Sequence, residues 1–210
     1  MIYLTCKRIP DGTTAVGLYE KAVAEFDTTV ENIRYIEQIY KRCDKSATES
    51  LFALCTLAEL AAHAQISPTC KQLTLERSSN GKPYFINSNW QFNVSHSGGY
   101  VAVALSDEGA VGIDVETAQI SAEKAQDLAK RFFTEAEQTK VAENTDTFRV
   151  LWSKKESTAK YWGFPLGQFL KSEKNEKAFK TNVKTQIIEM NSIWVTVCTS
   201  IDSSEIILVT

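Results

Sequence analysis

The fold class is decided by residues 101–115, which read VAVALSDEGAVGIDV. Two apolar runs, 101–105 and 110–115, flank the tetrapeptide SDEG at 106–109, whose residue types are typical of a turn. The pattern predicts two antiparallel strands joined as a hairpin. A further strand is predicted just upstream, at residues 91–95.

Helices are predicted on both sides of this hairpin. Upstream, SATE at residues 46–49 has the capping-box pattern and precedes about four turns of helical apolar spacing. Downstream, Ser121 and Thr134 each precede a helical pattern. A third helix is predicted over residues 146–162, with Gly163 as its C-terminal stop.

The C-terminal tail is predicted to return to strands, at residues 185–190, 193–198 and 205–209. The last two are separated by DSS at 202–204. Helices and antiparallel strands thus occur in both halves of the chain, which predicts an α+β fold. The similar order of elements in the two halves suggests a duplication.

Composition excludes several classes of protein. The chain has 210 residues, of which 43% are apolar and 23% charged, as in a globular domain rather than a disordered or collagen-like chain. Its net charge of -3 offers no general attraction to nucleic acid or anionic membrane. The longest apolar stretch, 51–62, is shorter than the roughly 20 residues that a bilayer span needs, and residues 1–11 lack a signal-peptide pattern. We therefore expect a cytoplasmic protein that binds neither nucleic acid nor membrane.

Two carboxylates end the second strand of the predicted hairpin. Because strand side chains alternate, Asp114 and Glu116 share one face while Ile113 and Val115 enter the core. Neighbouring carboxylates repel each other unless a hard cation such as Mg²⁺ lies between them. The alternative is a solvated strand end.

The third predicted helix carries Glu156 and Lys160, four residues apart on one face. A surface ion pair is the alternative interpretation. The functional interpretation makes Glu156 a third metal ligand and places Lys160 on a phosphate that the metal also binds, because phosphoryl chemistry depends on charge neutralisation and positioning.

Two further segments have the features of anion-binding turns. GKPYF at residues 81–85 places a lysine in a turn stiffened by proline, and NVSHSGG at 93–99 ends a strand in hydroxyls, an imidazole and two glycines. A tight turn with capping serines is the alternative for the second segment. A Ser–His acyl hydrolase is a further alternative, although adjacent residues rarely give a nucleophile and its base the required geometry.

Taken together, five segments resemble the 4′-phosphopantetheinyl transferases of the larger, Sfp-like type. They follow the family's order over residues 81–163. The segments are GKP at 81–83, FNVSHS at 92–97, GIDVE at 112–116, RFF at 131–133 with Glu137, and WSKKE at 152–156 with Lys160. A single such segment would mean little, whereas five in series with matching gaps are specific.

The resemblance implies a fold of two pseudo-symmetric halves, each a helix packed on a small antiparallel sheet, and a monomer. Residues 1–108 would supply contacts to the adenine and phosphates of coenzyme A, and residues 109–210 the metal ligands and the carrier-protein contacts. The implied reaction is the Mg²⁺-dependent transfer of the 4′-phosphopantetheine arm of coenzyme A to a serine of an apo acyl or peptidyl carrier protein. Adenosine 3′,5′-bisphosphate is released.

Carried over position by position, the resemblance implies Asp114, Glu116 and Glu156 as the metal ligands. It implies Lys160 as the contact to the pyrophosphate and Glu137 as a further acidic residue of the active site. Glu156, Lys160 and Glu137 are thus the implied catalytic residues. The acceptor of the serine proton stays open between Glu156, Glu137 and a metal-bound water.

The implied contacts to the coenzyme are Lys82 at the adenine end, Ser95 and His96 at a phosphate, and Ser50. Here the chain departs from the family, which usually carries a basic residue and a threonine at the start of the first-half helix. Ser50 can stand in for the threonine, but Glu49 occupies the place of the cation. Three basic residues nearby could replace its charge: Lys41, Arg42 and Lys45.

Two alternatives from other classes remain at this point. A metal-dependent nuclease also combines an aspartate with an acidic residue followed by a lysine, but here Lys160 comes four residues after Glu156 on a predicted helix, instead of two residues later on a strand. The other alternative is a degenerate transferase that only holds carrier proteins or coenzyme A.

A basic segment adjoins the third helix. Residues 149–184 hold nine Lys and Arg against three Glu, in a chain of net charge -3. A solvated lysine-rich loop is one interpretation. The other is a surface that steers acidic carrier proteins towards the site, with an apolar face around Phe164, Leu166 and Phe169 as the alternative docking surface.

Overall fold

The structure is a computed structural model that describes residues 1–26, 29–66, 70–117, 119–175, 182–190, 193–200, 202–203 and 205–210, without the side chains of 172–175. The elements up to residue 106 are β1 (Ile2–Arg8), α1 (Ala15–Phe26), α2 (Val30–Tyr40), α3 (Asp44–His63), β2 (Leu75–Arg77), β3 (Pro83–Phe85), β4 (Gln91–Ser97) and β5 (Tyr100–Ser106). The remaining elements are β6 (Gly112–Glu116), α4 (Ala122–Phe132), α5 (Glu135–Glu143), α6 (Asp146–Trp162), α7 (Leu166–Asn175), β7 (Val183–Met190), β8 (Ile193–Ser200) and β9 (Ile206–Leu208). In this described part of the chain, no helix is both long and apolar enough to cross a bilayer.

The described strands form three sheets. A four-stranded sheet has the order β4-β5-β1-β9, a three-stranded sheet has the order β6-β8-β7, and β2 pairs with β3 alone. All pairs are antiparallel except β1 with β9. The last strand therefore returns from the C-terminal half to the sheet of the first half.

The prediction of a hairpin between β5 and β6 is wrong. Both edges of β5 are already occupied, by β1 and by β4, so β5 has no free edge for β6. β6 instead pairs with β8, which places Thr196 opposite Asp114. The hairpin lies one strand earlier, between β4 and β5, where Gly98 and Gly99 have φ values of 55° and 82° that suit a two-residue turn.

The four predicted helices are present, with one difference at the start of α3, whereas α1, α2 and α7 were not predicted. Helix α3 begins at Asp44 with Cys43 as its N-cap, two residues before the predicted capping box. Ser121 and Thr134 cap α4 and α5 as predicted. The predicted end of α6 at Gly163 is also confirmed, because this residue has the left-handed φ of 72°.

The core joins the two larger sheets. Ile2 and Leu4 of the first sheet belong to one buried cluster with Ile113, Val195 and Val197 of the second. A larger cluster lies between α1, α2, α3 and the first sheet, and a third packs α4 and α5 against α6. Helices on small antiparallel sheets confirm the predicted α+β fold class, whereas the division at residues 108 and 109 stays a prediction.

Candidate active site

The candidate site lies where the edge strands of the two larger sheets, β4 and β6, meet. Asn93 Oδ1 accepts a hydrogen bond of 3.0 Å from the backbone N–H of Ile113, and Ser95 Oγ accepts one of 3.2 Å from that of Val115. Side chains of β4 thereby satisfy N–H groups on the open edge of β6. The position of Asp114, between these two N–H groups, is fixed relative to the first half.

Helix α6 crosses the start of β6 at Gly112. A Cβ at this position would overlap the backbone oxygen of Ser157 and the backbone of Tyr161. Glycine is required here because only a residue without a side chain permits this approach. The close crossing brings Glu156 and Lys160 of α6 onto the carboxylate end of β6.

Lys160 is the centre of the resulting cluster. Its Nζ lies 3.1 Å from Asp114 Oδ1, 3.0 Å from Glu156 Oε1 and 2.9 Å from Ser95 Oγ. Asp114 is only 3% exposed, so the ion pair with its carboxylate is shielded from water. Residues from β4, β6 and α6 thus meet at one ammonium group.

The cluster shifts the pKa values of its members. Burial alone would lower the pKa of Lys160, but attraction by Asp114 and Glu156 raises it above its usual value, so the ammonium stays charged. Burial raises the pKa of Glu156, and repulsion by Asp114 adds to this, although Lys160 acts in the opposite direction. Glu156 therefore takes a proton more readily than an ordinary glutamate does.

The donor set fits a hard cation, although its members are not gathered around one. Asp114 Oδ2 is buried without a hydrogen-bond partner, and Glu116 follows on the same strand two residues later. Carboxylate oxygens are the ligands that Mg²⁺ prefers. Among the described residues, however, no three His, Cys, Asp or Glu side chains stand ready to hold a metal ion. Lys160 lies between Asp114 and Glu156 instead.

The predicted phosphate contact of Ser95 has a competing use. Its hydroxyl donates to Asp114 Oδ1 at 3.1 Å and accepts from the N–H of Val115 and the ammonium of Lys160. One donor and two acceptor sites are all that a serine hydroxyl has. In this structure Ser95 is a scaffold for Asp114, and its phosphate contact stays a prediction. The bond to Asp114 also leaves no hydroxyl proton for His96, contrary to a Ser–His hydrolase.

His96 lies on the opposite side of β4 from Ser95, in a second cleft. Its Nδ1 is 3.2 Å from Glu49 Oε2. Arg42 donates a hydrogen bond of 3.3 Å to Ser50, and Arg42, Ser50 and His96 line this cleft of about 160 Å³. Of the three basic residues that could replace the missing cation, Arg42 is the one that the structure places there.

The charge of this second cleft comes mainly from arginine. Burial lowers the pKa of His96 below its usual value and the positive charge of Lys160 adds to this, whereas Glu49 acts in the opposite direction. Arg77 lines the cleft beside Arg42. Two guanidinium groups and a hydroxyl suit a phosphate group.

Lys82, just before β3, contacts the chain before β6 and the last turn of α6. Its Nζ donates hydrogen bonds of 3.2 Å to the backbone oxygens of Val111 and Tyr161. Burial lowers the pKa of Lys82 to about 8. Its contact at the adenine end stays a prediction, and in the structure its ammonium contacts the protein backbone.

Glu137 has a structural partner on each carboxylate oxygen. Oε2 accepts from the backbone N–H of Thr134 at 2.9 Å as half of a capping box, and Oε1 lies 3.0 Å from Lys155 Nζ. Burial alone would raise the pKa of Glu137, but these two donors lower it. Its catalytic role stays a prediction, and the structure makes it the weaker base of the two predicted acids.

Sequence reasoning missed the roles of Lys155 and Asn93. Lys155 is 6% exposed, and its ammonium lies 5.3 Å from the ring centre of Phe133 as well as beside Glu137. Burial of a lysine at the centre of a helix is unusual, and only the aromatic pair before Thr134 hinted at it. For Asn93 the signal was the alternation of polar residues along β4.

The predicted docking surfaces are only partly described. Most of the lysine-rich run at residues 171–180 lies outside the described residues or has no described side chains. Phe169 is 1% exposed, so it belongs to the core beneath α7 and is not part of an apolar docking face. Steering by the basic segment stays a prediction.

Fold and site together define an α+β protein in which Lys160, paired with two carboxylates, lines one cleft, and two arginines line a neighbouring cleft suited to phosphate. Two family models match the chain, one described as the 4′-phosphopantetheinyl transferase superfamily over residues 110–197 and one as the N-terminal part of 4′-phosphopantetheinyl transferase over residues 24–108. The chain belongs to the 4′-phosphopantetheinyl transferase superfamily, as its sequence motifs predicted.

Individual relatives agree with the family models. The chain is 43% identical over 88 residues to 4′-phosphopantetheinyl transferase Sfp of Bacillus subtilis (strain 168), which covers 37% of each chain. It is 37% identical over 99 residues, or 42% of each chain, to another 4′-phosphopantetheinyl transferase of Bacillus subtilis. It is 28% identical over 148 residues to 4′-phosphopantetheinyl transferase AcpT of Escherichia coli O157:H7, covering 67% of this chain and 73% of the relative. The chain spans about two fifths of the length of the Bacillus relatives that it matches.

Proposed function

We propose that this protein transfers the 4′-phosphopantetheine arm of coenzyme A to a serine of an apo acyl or peptidyl carrier protein, with Mg²⁺ and with release of adenosine 3′,5′-bisphosphate. Membership of the superfamily supports the reaction type. We also propose that the protein acts as a cytoplasmic monomer.

The observation that carries this proposal is the cluster of Lys160 with Asp114 and Glu156, beside two clefts. One cleft, of about 220 Å³, is lined by Lys160 together with Lys82 and Asn93. The other contains Arg42 and His96. Coenzyme A has a pyrophosphate and a separate 3′-phosphate, so two neighbouring cationic clefts match its charge distribution.

In the proposed binding mode, the pyrophosphate lies at Lys160 and the 3′-phosphate lies between Arg42, Arg77 and Ser50. Asp114, Glu116 and Glu156 would hold the metal. When bound, Mg²⁺ supplies positive charge that neutralises the pyrophosphate during transfer.

The chemistry needs one bond to form and one to break. The serine oxygen of the carrier forms a bond to the phosphorus that bears the pantetheine arm, and the bond from that phosphorus to the bridging oxygen breaks. Lys160 stabilises the negative charge that develops on the leaving bisphosphate. The serine proton passes to an acidic group of the site, for which Glu156 and Glu137 are the two candidate side chains.

The products test this proposal directly. Wild-type protein is incubated with coenzyme A and Mg²⁺, with and without an apo carrier protein, and adenosine 3′,5′-bisphosphate is measured by chromatography. We expect release only when the carrier is present. Release without a carrier would indicate a hydrolase, and no release with any of a panel of carriers would indicate a protein that only holds its ligands.

A further inference from the structure

Lys160 has conflicting partners in the structure and in the proposed reaction. Its ammonium contacts Asp114 Oδ1 at 3.1 Å, Glu156 Oε1 at 3.0 Å and Ser95 Oγ at 2.9 Å. An ammonium group has three hydrogens to donate, so these three oxygens use all of them. Lys160 cannot keep these contacts and also donate to a pyrophosphate.

The same two carboxylates belong to the proposed metal site. Asp114 is 3% exposed and its Oδ2 is buried without a hydrogen-bond partner, so its charge is neutralised only through Oδ1. A buried carboxylate without an opposite charge is strongly unfavourable. Lys160 therefore supplies, in this structure, the positive charge that Asp114 and Glu156 require.

A second position, in the neighbouring cleft, is open to the ammonium of Lys160. Its side chain is 26% exposed and lines the cleft of about 220 Å³ beside Asn93 and Gly163. A lysine has a flexible four-carbon stem, so its ammonium can turn into the cleft while α6 stays in place.

We propose that Lys160 is an exchangeable counter-ion. It holds Asp114 and Glu156 until a divalent cation takes over these carboxylates, and it then turns into the cleft to bind an anionic group of the substrate. Metal binding and exposure of the phosphate-binding ammonium are thereby one event. This inference rests on the proposed metal site.

Metal affinity without coenzyme tests the exchange. Mg²⁺ alone is titrated calorimetrically into wild type, Lys160→Met and the control Lys154→Met, which removes the same charge from the same helix. If Lys160 competes with the cation, Lys160→Met binds Mg²⁺ more tightly than wild type by about 5- to 150-fold, the usual range of a coupling between two sites. Lys154→Met stays within about twofold of wild type.

The outcomes separate the two proposals. Equal or weaker binding by Lys160→Met, with measurable binding by wild type, overturns the exchange but leaves the metal site. No binding by either protein overturns the metal site and the exchange with it.

Wild type alone provides a second measurement, which decides the matter if Lys160→Met does not fold. Lysines are acetylated with and without Mg²⁺, and the labelled peptides are quantified by mass spectrometry. The exchange predicts that labelling of Lys160 increases with Mg²⁺ while that of Lys154 stays constant. Unchanged or reduced labelling of Lys160 overturns it.

Discussion

The ammonium nitrogen of Lys82 lies 3.2 Å from the backbone oxygen of Tyr161, in the last turn of α6. The same nitrogen lies 3.2 Å from the backbone oxygen of Val111, just before β6. One side chain of the first half thus holds both elements that carry the acidic cluster. Because a helix leaves its last carbonyl groups without partners inside the helix, a lysine is well suited to this end of α6.

Lys82 should make stability depend on pH. Burial lowers its pKa to about 8, against about 10.4 in an unfolded chain. Between these values the unfolded state binds more protons, so the free energy of unfolding rises with pH. We expect the difference in unfolding free energy between wild type and Lys82→Met to shift in favour of wild type between pH 8 and about pH 10, as measured by urea unfolding. Exposed Lys124 provides the control Lys124→Met, whose difference from wild type stays flat; a flat difference for Lys82→Met would contradict the account.

Asn93 should matter for both stability and catalysis. Asn93→Leu keeps the size of the side chain but leaves the buried N–H of Ile113 without its acceptor, which costs about 1–3 kcal/mol of unfolding free energy. Because β6 then loses part of its attachment, we expect kcat to fall by about 10- to 100-fold with a smaller change in KM. Asn89→Leu, at an exposed position, serves as the control in the same unfolding and transfer assays. Wild-type kcat in Asn93→Leu would show that the hydrogen bond between Asn93 and Ile113 does not position Asp114.

Arg42 should recognise the 3′-phosphate of coenzyme A. It lines the second cleft with Ser50 and His96, so Arg42→Met removes a charge-assisted contact, and KM for coenzyme A should rise by about tenfold or more. Dephospho-coenzyme A lacks this phosphate, and its KM should be the same in wild type and variant. Lys41→Met is the matched control, because the exposed Lys41 pairs with Glu37. An equal effect on both coenzymes would place the 3′-phosphate elsewhere.

The acidic cluster should be essential for transfer. Asp114→Asn and Glu156→Gln keep the side-chain shapes but remove the charges, and we expect each to lower kcat by at least about 100-fold at saturating Mg²⁺. The exposed Glu135 provides the control Glu135→Gln, with near wild-type transfer. Circular dichroism checks that the variants are folded. Full activity in either cluster variant would remove that carboxylate from the site.

Local sequence patterns predicted where helices begin and end better than they predicted which strands pair with each other. Gly163 ends α6 and Thr134 caps α5 as predicted, because these signals act within a few residues. The pairing of β5 was wrong, because turn chemistry at residues 106–109 suits a connection between sheets as well as a hairpin. Which strand lies beside β6 depends on residues about 80 positions further along the chain.

The candidate site shows the same difference between local and long-range features. Strand alternation and helical spacing assigned Asp114 and Lys160 to one predicted site. In the structure Lys160 Nζ lies 3.1 Å from Asp114 Oδ1. No local pattern could show that Lys82 binds backbone oxygens or that Glu49 pairs with His96, because these contacts join segments distant in sequence. Residues that position a site through contacts distant in sequence are therefore harder to predict than residues whose own side-chain chemistry marks them as part of the site.

The mass of a carrier protein is the most direct test of the proposed transfer. An apo carrier is incubated with the wild-type protein, coenzyme A and Mg²⁺, and its intact mass is measured beside a carrier whose acceptor serine is replaced by alanine. We expect the carrier to gain one phosphopantetheine group, the alanine form to gain none, and Asp114→Asn to abolish the gain. A carrier that stays unmodified here, but is modified by an established transferase under the same conditions, would contradict the proposed transfer.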